Sequence, residues 1–369
     1  MAVRPGTAAR GRGAEDAGPA EAGSGRRGRV GIKFTRAESR TGRGAVLIDG
    51  YDTLLLDLDG VVYLGSHAVP GAPQALEQAR GRGVRLAYVT NNASRTPAAI
   101  AAHLRELGAP ATAEDVVTSA QAAARLIAER VPPGSNVLVV GGSGLRMAVR
   151  DRGLRPVSTA IDSPVAVVQG IAPGLSYGLL SEGALAVRQG AWFVASNRDS
   201  TMPTGRGELP GNGAMVRVIA AATGVEPVYA GKPDPPLHRE SVIRTGARRP
   251  LVVGDRLDTD IEGAANAGVD SLLVLTGVAT AADVLTAEPH HRPTYVAEDL
   301  EALHLPYPEV RDGSCGGWRA WWQDGVLRLE GAGSRIDGLR AACDAAWAAA
   351  GDGRIEEDAV KPVLDRIAG

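Results

Sequence analysis

The run Leu54-Leu55-Leu56-Asp57-Leu58-Asp59-Gly60 is apolar until it stops at two carboxylates spaced two residues apart. Strand alternation sends both acids to one side as the strand runs out, and Gly60 lets the chain turn away. Like charges held that close imply a bound cation, a shared proton, or a division of labour between nucleophile and acid. Taken alone, the fragment also reads as a polar strand end turning on glycine. A second apolar run, Leu251-Val252-Val253, stops at Gly254-Asp255, and Asp258 and Asp260 follow. Those last two are also what a helix N-cap and first turn would carry. If the two strands are neighbours, Asp57, Asp59 and Asp255 surround one crevice. Oxygen-only ligation with room for water suits Mg²⁺ better than zinc there, and the chain shows no Cys/His ligand spacing.

Two further stretches carry polar groups where a strand should end. Thr90-Asn91-Asn92-Ala93-Ser94-Arg95 brings hydroxyl and amide groups to a helix N-terminus, a place that favours an anion. Ser94 or Thr96 would equally serve as the cap of that helix. Gly231-Lys232-Pro233-Asp234-Pro235-Pro236 sets one lysine between a glycine and rigid prolines. Lys232 is either a surface turn residue or, if it faces the same crevice, a point charge for phosphate oxygens.

The elements that must position these residues follow from the pattern of the chain. Short Val/Leu-rich runs alternate with Ala-rich amphipathic stretches, the rhythm of a parallel sheet covered by helices. Strands are predicted over 53–58, 84–90, 136–140, 166–169, 192–195, 251–254 and 271–275, and helices over 73–82, 97–107, 120–130, 214–222 and 261–267. Continuous apolar strands imply burial on both faces, and open sheets of this kind bind ligands at the carboxyl ends of their strands.

Composition bounds the class. The 369 residues suffice for two domains and a small third, and 44% hydrophobic with 4% aromatic content indicates an aliphatic, globular core. Two cysteines provide no disulfide framework. With neither a secretory apolar region nor a run of membrane-spanning length, the expected compartment is the cytoplasm, with no membrane partner. Residues 1–45 carry a charge of +6 against −8 for the rest. This Gly/Ala/Arg-rich segment is expected to be a disordered basic tail, or to reflect the choice of start codon. Arg26-Arg27 lacks the apolar stretch of a twin-arginine signal, and the tail lacks the aromatic interleaving that would argue for nucleic acid.

In this order, DLDGVVYLG, TNN, GKP and GDRLDTDI resemble the four signature motifs of the haloacid dehalogenase superfamily of phosphohydrolases. TNNASR, SNRDSTMPTGRGELPGNGAM and GKPDPP look like the group with a large inserted cap, that of 4-nitrophenylphosphatase, phosphoglycolate phosphatase and NagD-type nucleotide phosphatase. The likeness covers roughly residues 50–305. It implies an α/β fold: a Rossmann-like, doubly wound parallel-sheet core (46–131 and 229–308) with an inserted α/β cap (132–228). It also implies roles for the residues. Asp57 would be the nucleophile, forming an aspartyl-phosphate, and Asp59 the acid and then the base. Asp57, Asp255 and the backbone of Asp59 would hold Mg²⁺, with Mn²⁺ or Co²⁺ as substitutes. Thr90, Asn91, Asn92 and Lys232 would hold the phosphoryl oxygens, and Asp260 would orient Lys232 or metal-bound water.

Within the cap, Gly141-Gly142-Ser143-Gly144 reads as a tight turn between strand and helix rather than a dinucleotide site. Asn197 and Asp199, at a strand end, and Gly211-Asn212-Gly213 are the candidate substrate-facing parts, although turn-forming Asn and Gly explain them as well. Many relatives carry Gly-x-Asp-Pro where this chain has Gly170-Ile171-Ala172-Pro173. Beyond about 310 the pattern predicts a ββα appendage (309–369) with a primed turn at Asp324-Gly325 and tryptophans used for packing. The arrangement resembles glycerol 3-phosphate phosphatases of mycobacterial type, whose core carries a short acetyltransferase-like region. Glycerol 3-phosphate is therefore the expected substrate, with phosphoglycolate or a nucleotide monophosphate as the alternatives. A phosphotransferase or mutase, or a non-catalytic binding protein, is the alternative class. No acetyl transfer is expected, and the expected protein partner is a second copy bound through the cap.

Overall fold

A computed structural model describes residues 46–204 and 207–368. The tail expected over 1–45 lies outside the described residues. Six parallel strands form the main sheet, in the order Tyr295–Ala297, Asp270–Val274, Pro250–Gly254, Thr53–Leu56, Arg85–Thr90, Val116–Thr118. Its strands read as unbroken apolar runs because both faces are covered. Leu54 and Leu56 pack with helices Ala72–Gly81 and Pro97–Glu106, whereas Leu55 packs with Ser119–Ala128 and Pro235–Thr245 on the opposite face.

Five more parallel strands make the inserted sheet, in the order Val228–Tyr229, Trp192–Ala195, Ala166–Gln169, Asn136–Val140, Arg155–Val157. Its last strand therefore extends to 229, one residue beyond the expected limit of the insertion. On one face Leu138, Val140, Val167 and Phe193 meet the insertion's own helices Tyr177–Arg188 and Asn212–Thr223. On the other, Val137, Val139 and Val168 share a single buried cluster with Leu55, Val89 and Val252 of the main sheet. The insertion and the core are thus welded by common apolar packing. Arg152 of the insertion adds a 2.7 Å hydrogen bond to Glu240 of the core, whose carboxylate is fully buried.

The third piece comprises antiparallel strands Ser314–Cys315, Trp318–Gln323 and Val326–Gly331 and helices Arg335–Ala350 and Glu357–Ala368. Asp324 and Gly325 have φ of 53° and 76°, both positive as a type I′ turn requires. The short first strand and the last helix exceed the ββα expectation. Pro362 inside that helix reads as a breaker in sequence, and packing of Val360 and Val363 overrides it. Trp318 and Trp322 donate their indole N–H groups to the carbonyls of Ser334 and Ala345, so they serve packing. Leu273 and Val296 of the main sheet bury against Leu339, Cys343 and Ala346 of this piece. It therefore covers the edge of one sheet face.

The predicted strands and helices all appear within two residues of their expected limits; the first strand ends at Leu56 rather than 58. The helices Pro235–Thr245 and Tyr177–Arg188 lie outside the expected set, and two prolines open the first. Proline is tolerated at the first helical positions, where an N–H would have no partner anyway.

Candidate active site

The register pairs Leu56 with Val253 on one side and with Tyr88 on the other, so three strands release their ends side by side. Asp57 and Asp255 leave from the two neighbours, and Val89-Thr90 continues beside them. Opposite stands Lys232, only 3% exposed. Its Nζ donates to Asp57 Oδ1 at 2.5 Å, to Asp260 Oδ1 at 2.7 Å and to the Val89 carbonyl at 3.2 Å. All three ammonium hydrogens are accounted for. Burial opposes the lysine's charge, but Asp260 and Asp57 outweigh it and hold the group above its ordinary range.

Asp57, Asp255 and Asp260 offer carboxylate oxygens that all lie within 4.8 Å of one another. One ammonium neutralises only one of three carboxylates, leaving two negative charges. Burial, and then repulsion from Asp260 and Asp255, pull the Asp57 carboxyl well above the usual range against the attraction of Lys232. Asp260 has both oxygens engaged, by Lys232 and by the Arg256 N–H at 3.2 Å. Asp255 differs: Oδ2 accepts the Val278 N–H at 2.8 Å, whereas the buried Oδ1 has no partner among the described residues. Burial, reinforced by Asp260, pushes this carboxyl up to about 6. A buried carboxylate oxygen without a donor, two uncompensated charges and an all-oxygen donor set fit a hard divalent cation.

Local backbone makes room for this. A Cβ on Gly277 would sit 2.0 Å from Asp255 Oδ2, and one on Gly60 would sit 2.3 Å from it. Gly60 also has φ of 81°, which turns the chain just after Asp59. Asp59 stands at the mouth of the crevice, where the Tyr63 hydroxyl approaches its Oδ2 at 3.4 Å. Desolvation by the surrounding protein raises its carboxyl, with Tyr63 opposing. Its carboxylate does not join the three that converge.

The four residues expected at the phosphate differ in what they have free. Thr90 is buried, and its Oγ1 accepts the Asn92 N–H at 3.0 Å, so its own hydrogen remains available. Asn92 uses its carbonyl oxygen on Ser94 and Arg95, organising the loop. Thr96, not Ser94, caps the following helix by accepting the Ala99 N–H. Asn91 spends its carboxamide on protein partners: Oδ1 accepts the Lys232 N–H at 2.8 Å, and Nδ2 donates to the Lys232 carbonyl at 3.1 Å and to Asp199 at 3.3 Å. The two Nδ2 hydrogens leave none for a ligand.

The inserted sheet reaches the crevice through the loop after Trp192–Ala195. Asn197, 3% exposed, donates to the Asn91 carbonyl at 2.7 Å and accepts the Asp199 N–H, so it braces the loop. Asp199 meets Asn91 with its carboxylate, which burial raises above the usual range. Asn212 is buried and holds the Asn197 carbonyl at 2.9 Å. Its glycine neighbours allow the Arg198-Asp199 backbone to approach, since a Cβ at Gly213 would lie 2.2 Å from the Arg198 carbonyl. Gly144 likewise lets the helix Ser143–Asp151 sit against the Ala93–Arg95 backbone. Sequence reasoning missed this bracing role of Asn91, Asn197 and Asn212, and missed Ser119, whose hydroxyl donates to the Asn91 carbonyl at 2.6 Å. For Asn91 and Asn197 the only local signal was Asn at a loop position, which turn chemistry also explains, while Asn212 and Ser119 each open a helix.

Comparison with known proteins agrees with this architecture. Residues 54–155 match the haloacid dehalogenase-like hydrolase family and residues 229–303 a second HAD-hydrolase-like family, while 315–368 match a GCN5-related N-acetyltransferase-like domain. The chain is 52% identical over 269 residues to a D-glycerol 3-phosphate phosphatase of Mycobacterium tuberculosis, covering 73% of this chain and 75% of that one. It is 40% identical to an acid sugar phosphatase of Staphylococcus epidermidis, over 68% of this chain and 95% of the relative. Among solved structures, a glycerol phosphate phosphatase from M. tuberculosis in complex with magnesium superposes with a TM-score of 0.79 at 45% identity, covering 88% of this chain and 99% of that one. A thermostable NPPase from Geobacillus stearothermophilus gives 0.62 at 32% identity, over 68% and 97%. With Asp57, Lys232 and Asp255 gathered at adjoining strand ends and relatives of this similarity, the chain belongs to the haloacid dehalogenase-like hydrolases.

Proposed function

We propose that this protein is a Mg²⁺-dependent phosphomonoesterase that works through a phosphorylated Asp57, with glycerol 3-phosphate as its substrate. The observation that carries the reading is the Lys232 ammonium set against Asp57 and Asp260 beside the partnerless Asp255 Oδ1. Asp57, Asp255 and the main-chain carbonyl of Asp59 are the groups that would hold Mg²⁺. When bound, the cation would offset the two excess carboxylate charges and neutralise phosphoryl oxygens.

The side chains divide the remaining work. The Asp57 carboxylate attacks phosphorus, and the bond to the ester oxygen breaks as Asp59 gives its proton to the departing alkoxide. The raised carboxyl of Asp59 suits it to carry that proton. Asp59, now ionised, takes a proton from the water that attacks the phosphoryl group, releasing inorganic phosphate and restoring Asp57. As Asp57 takes up phosphorus, the Lys232 hydrogen bond to it turns to a phosphoryl oxygen, which the Thr90 hydroxyl also holds as charge builds, and Asp260 keeps Lys232 in place. Asn91 supports Lys232 through its backbone, and Asp199 closes the crevice from the insertion.

The choice of glycerol 3-phosphate is supported by the likeness to the mycobacterial enzyme, which extends into the C-terminal piece. Phosphate release from glycerol 3-phosphate, a sugar phosphate, phosphoglycolate and nucleotide monophosphates, with Mg²⁺ and with EDTA, tests the reading. Highest kcat/KM on glycerol 3-phosphate, abolished by EDTA and by Asp57→Asn, is the expected result. Failure to release phosphate without an acceptor would favour a phosphotransferase instead. The buried free thiols of Cys315 and Cys343 support a cytoplasmic setting. No described helix is long and apolar enough to cross a membrane. A second copy bound through the insertion is supported by its exposed Ile161 and Tyr177, and light scattering tests it.

A further inference from the structure

Away from the three converging aspartates, the fold assembles a different donor set that no sequence spacing announces. Pro289–His291 forms one tight helical turn that presents two consecutive imidazoles, and the helix Glu262–Ala267 places its first side chain against them. His291 Nε2 lies 3.0 Å from Glu262 Oε2. The His290 ring stands beside that of His291, with centroids 4.1 Å apart. One donor atom from each of Glu262, His290 and His291 lies within 4.8 Å of the other two. Glu288 approaches from the rim, 3.8 Å from His290 Nε2.

We propose that Glu262, His290 and His291 form a second metal site, one for a divalent transition metal of the Zn²⁺ or Ni²⁺ type. Two imidazoles and a carboxylate are the donor set that such ions prefer over Mg²⁺, which demands oxygen ligands in near-octahedral order. Binding at about 2.0–2.2 Å from each donor requires the three atoms to draw together by small side-chain rotations. The side chains have that freedom: His291 and Glu262 are about a quarter exposed and His290 half exposed. Three protein donors leave a position for water. The chain thus carries two cation sites of opposite chemical character, oxygen-only at the strand ends and imidazole-rich here. Glu262 follows Asp260 by two residues, so an ion held at this second site fastens the Pro289–His291 turn to the segment that carries Asp260.

The experiment titrates Zn²⁺ into the full chain, free of any affinity tag and saturated with Mg²⁺, by calorimetry and by thermal unfolding. One equivalent of Zn²⁺ is expected to bind and raise the Tm. The double variant His290→Ala/His291→Ala is expected to weaken binding by at least about tenfold and to lose the Tm rise. Its far-ultraviolet circular dichroism and Tm without Zn²⁺ should match the parent, which separates loss of the site from loss of the fold. Glu262→Gln, which keeps the shape of the side chain and removes its charge, should weaken Zn²⁺ binding in the same direction. Absence of Zn²⁺ binding in the presence of Mg²⁺, or binding unchanged in the double histidine variant, would overturn the proposal.

Discussion

Asn91 and Lys232 are joined twice: Asn91 Oδ1 accepts the lysine's backbone N–H at 2.8 Å, and Asn91 Nδ2 donates to its carbonyl at 3.1 Å. The same Nδ2 reaches Asp199 from the insertion, and the Asn91 carbonyl takes hydrogen bonds from Asn197 and Ser119. The strand end after Arg85–Thr90 therefore fixes where the ammonium stands. Asn91→Ala should lower kcat by about 10²-fold through a displaced Lys232, in line with the cost of a misplacement near 1 Å. Unpaired buried backbone groups should also cost about 1–3 kcal/mol of stability. Steady-state kinetics and urea unfolding on the same preparation check both parts; a change in KM with kcat intact would contradict this role.

Lys232→Met removes the only side-chain cation hydrogen-bonded to Asp57 and Asp260 among the described residues. Leaving buried carboxylates without their partner should destabilise the fold by about 3–5 kcal/mol, and kcat should fall at least about 10²–10³-fold. Added Mg²⁺ should recover stability more than activity, because a cation can offset charge without replacing the lysine's contact to a phosphoryl oxygen. Thermal unfolding with and without Mg²⁺, alongside phosphate release, provides the comparison.

For Asp59→Asn the size of the defect should depend on the leaving group. An alkoxide needs a proton, and p-nitrophenolate departs without one. In kcat/KM, which reports phosphorylation of Asp57 and not the later hydrolysis common to both esters, a loss of about 10²–10⁴-fold is expected on glycerol 3-phosphate, with a distinctly smaller loss on p-nitrophenyl phosphate. Equal losses on the two esters would remove Asp59 from the role of general acid.

Asp255 makes metal-free stability depend on pH. Its folded carboxyl is raised to about 6 from an ordinary value of 3.8, so the proton binds more tightly in the native state. That contribution is complete below about pH 4 and is lost as pH rises through about 6, with a ceiling near 3 kcal/mol at 1.36 kcal/mol per unit. In EDTA, Tm should therefore carry a downward component over this window that Asp255→Asn abolishes. Mg²⁺ prefers the ionised form, so the Tm gain from adding it should grow from pH 5 to pH 7.

Gly277→Ala places a methyl group where Asp255 Oδ2 now lies, 2.0 Å from the new carbon. The carboxylate must move, and the 2.8 Å bond from the Val278 N–H goes with it. The Mg²⁺ concentration for half-maximal activity should rise by about tenfold or more, an estimate based on the cost of disturbing groups that orient a ligand. An unchanged Mg²⁺ dependence would dissociate Gly277 from the cation site.

Leu339, 1% exposed, packs in the cluster that joins the C-terminal piece to Leu273, Val284 and Val296. Arg340 and Trp347 donate to the Val296 and Val284 carbonyls across the same junction. Leu339→Ala should cost about 2–5 kcal/mol. The loss should appear as one cooperative transition shared by phosphatase activity and tryptophan fluorescence, since the two regions have a common core. Two separated transitions would show an independent C-terminal domain.

The sequence by itself determined the strands, because Leu54 to Leu56 and Leu251 to Val253 are apolar without interruption and end in glycine and acid. It also determined which residue types stand in the crevice, since three carboxylates and a cation are readable from Asp57, Asp59, Asp255 and Lys232. Only the tertiary structure decided which of them meet. The register beside Val253 and Tyr88 aligns the strand ends, whereas Lys232 comes from 175 residues after Asp57 and is placed by Asn91. It likewise showed Asn197 and Asn212 bracing the loop beside the crevice, and it brought Glu262 to His290 and His291. The reason is physical: periodicity and turn chemistry act over a few residues, whereas a buried amide or a convergent ligand set depends on which partners packing brings within 3 Å.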